Sequence, residues 1–457
     1  MTYSAQQAPK KTKHSKKDKE DDVLWPRQVA LDILQAFWNE ERFLDSLFET
    51  DPNFLDLDSR NRNFVRMMVT TAVRRSGQID DIMRRGFSDP KQKMSPPIVG
   101  FIFHLAIAQI VFMNVADHAA VNTSVDLTSR NGATRAKGFM NAVLRKVVQN
   151  GKKWTTEQDI ARLNTPNWLL DIWAKDYGES EALEIAQASV CEAALDITIA
   201  DPIDRDKWAE FLECTTLPSG SLRRQESAMV PELAGFEDGG WWVQDASAAL
   251  PVRLMGDLLH KDVIDLCAAP GGKALQLAAG GANVYALDRS AKRMERLKEN
   301  AHRARMQDKI KCEVADATFW RSSQSFDAVL LDAPCTATGT IRRNPDVAWL
   351  KEAEDVDSMK SIQKNLLENA VAMVKDGGML LYCTCSLQKE EGERQLNEFL
   401  AAHKEFSVKP ILPQEVPELE HAITEEGFLR ILPYYWAAYG GLDGFFIGRL
   451  VKSPQKS

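Results

Sequence analysis

The sequence has too few cysteines, too irregularly spaced, for a disulfide-stabilised fold or a zinc site. Its cysteines are an odd number spread over 457 residues, at positions 191, 214, 267, 312, 335, 383 and 385. No pair has the C-x-x-C spacing of a metal-binding motif, and no cysteine–histidine cluster is evident. We therefore predict free thiols, a reducing compartment and no bound metal.

Long apolar stretches are also missing. The most apolar run, residues 101–115, contains His104, Gln109 and Asn114 and is shorter than the ~20 residues that cross a bilayer. The N-terminal residues have none of the apolar core of a signal peptide. We therefore predict a cytoplasmic protein that does not associate with a membrane.

The chain as a whole lacks the positive charge that nucleic-acid-binding proteins commonly carry, since its formal net charge is -8. The charge is unevenly distributed, however: residues 1–150 contain 22 Lys+Arg against 17 Asp+Glu, and the remainder contains 35 against 48. Residues 60–150 alone hold 14 basic and 5 acidic residues. If these side chains converge, they form a positive face for nucleic acid. A merely solvated basic surface is the alternative.

Composition and hydrophobic period divide the first half of the chain into three segments. Residues 1–22 contain six lysines and little that is apolar, so we expect a disordered basic tail. Residues 23–150 have apolar side chains at helical spacing, which predicts an all-α domain. Residues 151–240 combine a helical start with the strand-like ALDITIAD. They predict a small α/β linking subdomain, either an RNA-recognition platform or a plain spacer.

The remaining residues, 241–452, alternate between strand-like and helical runs. The strand-like runs lie in KDVIDLCAAPGGK, NVYALDRS, IKCEVADA, SFDAVLLDAPC and MLLYCTCSL. This alternation predicts a doubly wound, mostly parallel α/β sheet with helices on both faces, a Rossmann-like domain. Ligands of such sheets bind beyond the carboxyl ends of the strands, so the candidate functional residues are those at which each run stops.

The first three strand ends suit a nucleoside cofactor. Asp288 ends the second strand, where a carboxylate can accept hydrogen bonds from ribose hydroxyls, and Asp316 ends the third, where it can make a second polar contact to a nucleoside. The glycines after the first strand allow close approach of backbone to a ligand, and the next helix offers N–H groups to a carboxylate. The loop there consists of Cys267, Ala268, Ala269, Pro270, Gly271, Gly272 and Lys273.

The pattern of this loop narrows the choice of cofactor. It is neither the GxGxxG of a dinucleotide site nor a Walker loop, so we predict S-adenosylmethionine. Taken singly, each acid could instead be a helix cap or a surface charge; the order of loop and acids favours the cofactor site.

Thiols follow the next two strands, which give DAPC, residues 332–335, and YCTCS, residues 382–386. Two thiols beside a methyl donor suggest methylation of a pyrimidine at C5, a carbon that is too weak a nucleophile unaided. A thiolate that adds to C6 makes C5 an enamine carbon able to take a methyl group, and loss of the C5 proton and of the thiol restores the ring. Alternation along a strand places Cys383 and Cys385 on one face, so parity does not identify the nucleophile.

Two sets of motifs resemble known families. DLCAAPGGK, LLDAPCTATGTIRRNPD, YCTCSLQKEEGE and GGLDGFF resemble the RsmB/NOP family of RNA cytosine-C5 methyltransferases. PRQVALDIL, RNFVRMMVTTAVRR and the segment from AQIVFMNVADHAAVNTSVD to NAVLRKVV resemble the NusB-like RNA-binding fold. Joined in one chain, they resemble the bacterial 16S ribosomal RNA branch of that family, the RsmB (Sun/Fmu) type.

The resemblance implies roles for individual residues. Cys385 would be the nucleophile and Cys335 would assist product release. The loop 267–273, Asp288, Asp316 and Asp332 would bind S-adenosylmethionine and the target base, with Asp332 on the N3 edge of cytosine as a hypothesis. The protein would be a cytoplasmic monomer acting on 16S rRNA. A tRNA or other RNA cytosine-C5 methyltransferase and a noncatalytic NusB-like RNA-binding factor are the alternatives.

Four further positions bear on this assignment. Cys383 stands where the family commonly has a small residue without a thiol, and Ala274 replaces a frequent threonine. Arg342 and Arg343 are candidates for phosphate contacts, with pairing to Asp346, Glu352 or nearby acids as the alternative.

Overall fold

The computed structural model describes residues 23–89, 92, 94–226 and 229–454. The chain forms two compact units: one runs to Leu170 and includes the segment Asn344–Leu350, and the other comprises Asp171–Arg343 and the residues from Lys351 onward. The predicted disordered tail, residues 1–22, lies outside the described residues. Within the described residues, no helix combines the length and the apolar character needed to cross a membrane.

The first unit is all-α, as predicted. Pro26 lies in the first turn of helix α1, where its missing N–H costs no hydrogen bond. Asp58 caps α4 by accepting a hydrogen bond from the N–H of Asn61 at 2.7 Å. The helices are α1 (Trp25–Glu40), α2 (Leu44–Thr50), α3 (Pro52–Leu55), α4 (Ser59–Arg74), α5 (Ser76–Gly86), α6 (Ile98–Ile107), α7 (Asp117–Arg130), α8 (Lys137–Thr155) and α9 (Ile160–Asn164).

The distant segment Asn344–Leu350 is part of this helical unit. Oδ2 of Asp346 accepts a hydrogen bond from the N–H of Leu44 at 2.8 Å, and Nε1 of Trp349 donates to the carbonyl of Val73 at 3.1 Å. The segment is therefore held by specific polar contacts as well as by packing on the apolar core of the unit.

The second unit contains two sheets. Its helices are α10 (Asn167–Tyr177, begun in the first unit), α11 (Glu179–Ser189), α12 (Arg205–Phe211), α13 (Ala246–Arg253), α14 (Gly272–Ala279), α15 (Ala291–Arg303), α17 (Ala353–Ala370) and α18 (Glu393–Ala402); α16 (Val347–Leu350) belongs to the helical unit. The strands are β1 (Leu195–Ile199), β2 (Thr215–Thr216), β3 (Leu222–Arg224), β4 (Trp241–Val243), β5 (Asp262–Leu266), β6 (Asn283–Asp288), β7 (Ile310–Val314), β8 (Phe326–Asp332), β9 (Val374–Thr384), β10 (Phe406–Val408), β11 (Leu429–Ile431) and β12 (Phe445–Lys452).

The order of the strands creates a crevice at β5. The small sheet is antiparallel, in the order β2-β3-β1-β4. The large sheet has the order β10-β12-β9-β8-β5-β6-β7, with β11 on β12, and β5 to β9 run parallel. The chain moves from β5 to β6 and β7 on one side and returns to β8 and β9 on the other. Its strand order therefore reverses next to β5, which is where doubly wound sheets bind ligands.

Burial explains why these runs form strands. The last four residues of β5, positions 263–266, are all buried, as are residues 328–331 of β8. Continuous apolar burial is typical of parallel strands that are covered on both faces, and apolar clusters pack on each side of this sheet. The predicted α/β class is confirmed.

A buried ion pair joins the small sheet to the large one. Arg223 on β3 is paired with Asp196 on β1 through two hydrogen bonds of 2.6 and 2.7 Å, with side-chain exposures of 2% and 0%. Arg223 also donates to the carbonyl of Gly441 at 2.6 Å, and Asp196 accepts from the N–H of Ala246 at 3.0 Å. The pair thus fixes the small sheet to the start of α13 and to the chain that precedes β12.

We expect Asp196→Ala to lower the free energy of unfolding of this unit by about 3–5 kcal/mol, because it leaves a buried guanidinium unpaired. Urea unfolding followed by tryptophan fluorescence measures the change. Glu295→Gln, which breaks the solvent-exposed pair with Lys298, is the control and leaves the midpoint unchanged. An Asp196→Ala midpoint equal to that of the wild type would contradict this account.

Candidate active site

The loop between β5 and α14 has an unusual backbone. Cys267 has φ 66° and Gly271 has φ 111°, both in the left-handed region. A Cβ at Gly271 would lie 2.9 Å from Cγ of Leu297, so glycine is required there for space as well as for conformation. Among the residues that the structure describes, no side chain caps α14, which starts at Gly272. The N–H groups of its first turn are therefore suited to an anionic ligand group.

Two acids lie at the ends of the neighbouring strands: Asp288 ends β6, as predicted, whereas Asp316 lies two residues beyond the last residue of β7. Asp288 is buried at the end of β6, where it accepts hydrogen bonds from the N–H groups of Ala269 at 3.1 Å and Ser290 at 2.8 Å. Asp316 follows β7 and is exposed. Its Oδ1 accepts from the hydroxyl and the N–H of Thr318, and these bonds lower the pKa of the carboxyl, which favours its charged form. Asp288 thus ties the glycine loop to the adjacent strand.

A lysine and an acid meet across the crevice. Nζ of Lys273 lies 2.7 Å from Oδ2 of Asp332, at the end of β8. Burial opposes the charge on Lys273, but the charge and hydrogen bond of Asp332, together with the nearby Cys383 and Asp265, outweigh burial and raise the pKa of the lysine. The thiol of Cys383 lies 3.5 Å from the other oxygen of Asp332. A polar chain therefore runs from the glycine loop through Asp332 to β9.

The structure brings two of the predicted thiols together. Cys335 and Cys385 are each partly exposed, and their sulfur atoms are 3.4 Å apart, a hydrogen-bonding distance rather than a covalent one. The hydrogen bond with Cys385, and then burial, raise the pKa of Cys335 well above its ordinary value, which favours its protonated form.

Cys383 packs against the same core cluster as Cys385, as the alternation predicts, yet its surroundings differ. It is 0% exposed, and burial followed by the charge of Asp332 raises its pKa well above its ordinary value. A buried, protonated thiol is a poor nucleophile. Exposure therefore separates these two cysteines where parity does not.

Asp265 was missed by the sequence analysis. It lies on β5 and is 1% exposed, and neither carboxylate oxygen has a hydrogen-bond partner among the described residues. Burial raises its pKa well above its ordinary value, which favours the neutral acid. In the sequence it stands between Ile264 and Leu266 in a strand run, and nothing there separates it from an ordinary strand residue.

The two arginines after β8 differ from their expected role. Arg342 is 2% exposed and donates to the carbonyl of Gly440 at 2.5 Å, so its burial argues against the predicted phosphate contact. Arg343 is ion-paired with Asp245 at 2.8 Å and Asp443 at 3.0 Å. The alternative of pairing with acids is correct for Arg343, although the acids are not Asp346 and Glu352.

Comparison with known proteins places this geometry in a class. Residues 257–451 match the model of the family described as 16S rRNA methyltransferase RsmB/F, and residues 25–149 match the NusB family. The fold is similar to the crystal structure of PH0851. The similarity covers 97% of this chain and 100% of the other, with a TM-score of 0.70 and 24% identity. It is also similar, over 64% of this chain and 97% of the other, to a methyltransferase homolog protein from Pyrococcus horikoshii, with a TM-score of 0.54 and 23% identity.

The family match over residues 257–451 thus defines the class of this protein, a methyltransferase of ribosomal RNA. The ribosomal RNA small subunit methyltransferase B of Xylella fastidiosa is 33% identical over 94% of this chain and 99% of its own length. The ribosomal RNA small subunit methyltransferase B of Cronobacter sakazakii is 32% identical over 79% of this chain and 85% of its own length. The chain belongs to the RsmB/F family of 16S rRNA methyltransferases, which confirms the resemblance seen in the motifs and the prediction of an enzyme.

We expect alkylation at neutral pH to distinguish the thiols. With iodoacetamide and peptide mass mapping, the exposed Cys191 and the partly exposed Cys385 become labelled while Cys383 in the folded protein stays unmodified. In urea, all seven cysteines become labelled, which shows that each peptide is detectable. Labelling of Cys383 ahead of Cys385 would contradict the difference in burial.

Proposed function

We propose that this protein transfers a methyl group from S-adenosylmethionine to C5 of a cytosine in 16S rRNA through a covalent bond between Cys385 and C6. The observation that carries the proposal is the 3.4 Å contact between the sulfurs of Cys335 and Cys385 at the ends of two parallel strands. Contacts from Lys273 to Asp332 and from Asp332 to Cys383 link the glycine loop to β9, the strand that Cys385 follows. A methyl donor and a nucleophile would thus meet at one edge of the sheet.

The residues at the crevice fit S-adenosylmethionine. The uncapped start of α14 suits the carboxylate of its amino-acid end, and the acids that follow β6 and β7 suit hydroxyl and amine donors. When bound, the cofactor supplies an electrophilic methyl group on a sulfonium. We assign its binding to Cys267, Ala268, Ala269, Pro270, Gly271, Gly272, Lys273, Asp288, Asp316 and Asp332.

The thiol pair supplies the covalent chemistry. Because its raised pKa favours the protonated form of Cys335, the S–H of this residue can donate to the sulfur of Cys385 and stabilise a thiolate there once the proton of Cys385 has passed to solvent. That thiolate adds to C6 of the ring, and the electron pair released to C5 makes this carbon nucleophilic. After methylation, the C5 proton passes to water, the electron pair of that C–H bond forms the C5–C6 double bond, and the bond from C6 to Cys385 breaks to return a thiolate on this cysteine, which restores the aromatic ring. We assign assistance of this release to Cys335.

Asp332 is the candidate for contact with the base. Its side chain is 33% exposed and holds Lys273 at 2.7 Å. We propose that it hydrogen-bonds the N3 edge of the cytosine and helps to offset the charge that develops as sulfur adds to C6. A preorganised group of this kind acts without reorganisation during the reaction.

The relatives' names support ribosomal RNA as the substrate. They are named ribosomal RNA small subunit methyltransferase B. A cytosine stacked in a helix hides C6, so the enzyme requires single-stranded RNA or must extrude the base, which costs a few kcal/mol. Exposed arginines of the helical unit, among them Arg60, Arg84, Arg135 and Arg145, can contact phosphates and offset this cost. We propose a cytoplasmic protein that acts as a monomer.

We expect substitution of the two thiols to block different steps of the reaction. With RNA and S-adenosylmethionine, Cys335→Ala accumulates a covalent protein–RNA adduct because release is impaired, whereas Cys385→Ala gives neither adduct nor methylated RNA. Denaturing gels and nucleoside mass spectrometry measure the two products. Cys383→Ala is the matched control and keeps turnover. Activity of Cys385→Ala combined with loss of activity in Cys383→Ala would reverse the assignment.

We expect Asp332→Ala to lower kcat by about a hundredfold or more, as loss of a preorganised polar group at a reaction centre does. Steady-state methylation of RNA measures the effect. Asp327→Ala, which removes the partner of Lys375 at the opposite end of the same strand, is the control. An Asp332→Ala kcat close to that of the wild type would reject the role of this carboxylate.

A further inference from the structure

A buried carboxylate lies beneath the two reactive thiols. Glu391 ends the short helix Lys389–Glu391 that follows β9, and its side chain is 0% exposed. A carboxylate so deeply buried is costly unless hydrogen bonds satisfy it. Both of its oxygens accept hydrogen bonds, and each donor either lies in the loop of Cys335 or Cys385 or contacts one of these loops.

One oxygen holds the loop of Cys335. Oε1 of Glu391 accepts hydrogen bonds from the N–H of Thr336 at 2.9 Å and from Nε2 of Gln363 at 3.0 Å. Thr336 directly follows Cys335, and the same nitrogen of Gln363 also lies 2.9 Å from the carbonyl of Pro334, which directly precedes it. The backbone on both sides of Cys335 is therefore anchored to Glu391, directly or through one side chain.

The other oxygen joins that loop to the loop of Cys385. Oε2 of Glu391 accepts hydrogen bonds of 2.5 Å from the hydroxyls of Thr336 and Ser386. Ser386 directly follows Cys385, and the two hydroxyls lie 3.1 Å apart. The main chain of Glu391 is itself fixed, because its carbonyl accepts from the hydroxyl of Tyr382 at 2.8 Å.

We propose that Glu391 is the positioning residue of both thiols, which sets the separation of the sulfurs of Cys335 and Cys385 by holding the residue after each of them. The inference deepens the proposed function and rests on it, since it concerns the same pair of sulfurs. It explains why the carboxylate is buried at a place where an apolar side chain would cost less.

Burial raises the pKa of Glu391, although the hydrogen bonds from Ser386, Thr336 and Gln363 oppose this rise. In its charged form, Glu391 acts on Cys335 in the same direction as its geometry. After the hydrogen bond with Cys385 and burial, the nearby charge of Cys385 and then that of Glu391 raise the pKa of Cys335. The carboxylate therefore helps to keep the proton on Cys335, which leaves the S–H of this residue available to its neighbour.

Two substitutions of Glu391 separate the effect of its hydrogen bonds from the effect of its negative charge. In Glu391→Gln the amide oxygen can still accept from the N–H of Thr336, and the amide nitrogen can donate to the two hydroxyls, which act as acceptors. This variant keeps the links and loses the charge. In Glu391→Ala both are lost and a buried N–H is left unsatisfied.

The test measures the distance between the sulfurs without RNA or cofactor, so its outcome does not depend on the proposed reaction. Diamide oxidises two nearby thiols to a disulfide and takes up the two hydrogens itself, and peptide mapping gives the rate of the Cys335–Cys385 cross-link. We expect Glu391→Ala to slow this cross-link by about tenfold or more, as a displacement near 1 Å at a reacting pair does. Glu391→Gln stays near the wild-type rate.

The control is Glu415→Ala, which makes the same truncation as Glu391→Ala, but in the ion pair with Arg449. It lowers thermal stability and leaves the cross-linking rate unchanged, which distinguishes positioning from stability alone. If Glu391→Ala does not fold, the double variant Thr336→Val with Ser386→Ala removes the hydroxyl links instead and is expected to slow the cross-link. Wild-type rates in the variant that folds, or an equal slowing in Glu415→Ala, would overturn the proposal.

A pH series provides the second measurement. Because Glu391→Gln removes a negative charge near Cys335, alkylation of Cys335 is expected to begin at lower pH than in the wild type, a change that a purely structural side chain would not cause. An unchanged profile contradicts the electrostatic part. A cross-linking effect in a protein that fails to methylate cytosine would leave this inference standing and sink the proposed function.

Discussion

The pairing of β8 with β9 is the constraint on which the candidate active site depends. The register places Asp332 opposite Cys383, and the N–H of Ala333 donates to the carbonyl of Cys383 at 2.9 Å. Because the strands are parallel neighbours, the residues that follow them lie side by side. Cys335 and Cys385 are such residues. Although they are 50 positions apart in the sequence, their sulfur atoms lie 3.4 Å from each other.

Differences in burial then give side chains of the same type different protonation and different access to a substrate. Cys383 ends inside the sheet as a protonated thiol against Asp332, whereas Cys385 lies one residue beyond the strand and is partly exposed. The same gradient separates the acids: Asp265 is enclosed and favours its neutral form, while Asp316 is exposed and favours its charged form. Position relative to the strand end decides which groups can meet a substrate.

Much of this arrangement could be predicted from the sequence because strand ends carry a local signal. Apolar runs that stop at Cys267, Asp288 and Asp332 identify the edge of the sheet without knowledge of distant contacts. The exposure of Cys383 relative to Cys385 could not be predicted, since alternation gives both the same face. Arg342 reads as a surface cation in RRNPD, and its burial depends on chain near residue 440. Glu391 stands in the polar run QKEEGE, which is typical of solvated surface, and its partners come from residues 336 and 363.

The central claim is that the sulfur of Cys385 bonds to the pyrimidine ring. Substrate RNA with 5-fluorocytosine at the target cytosine tests it most directly, because fluorine at C5 prevents the proton loss that precedes release. After incubation with S-adenosylmethionine and digestion, tandem mass spectrometry of the wild-type protein should locate a methylated fluorocytosine nucleotide on Cys385. Attachment at Cys383 or Cys335, or methylation of ordinary RNA with no trapped adduct, would contradict the account.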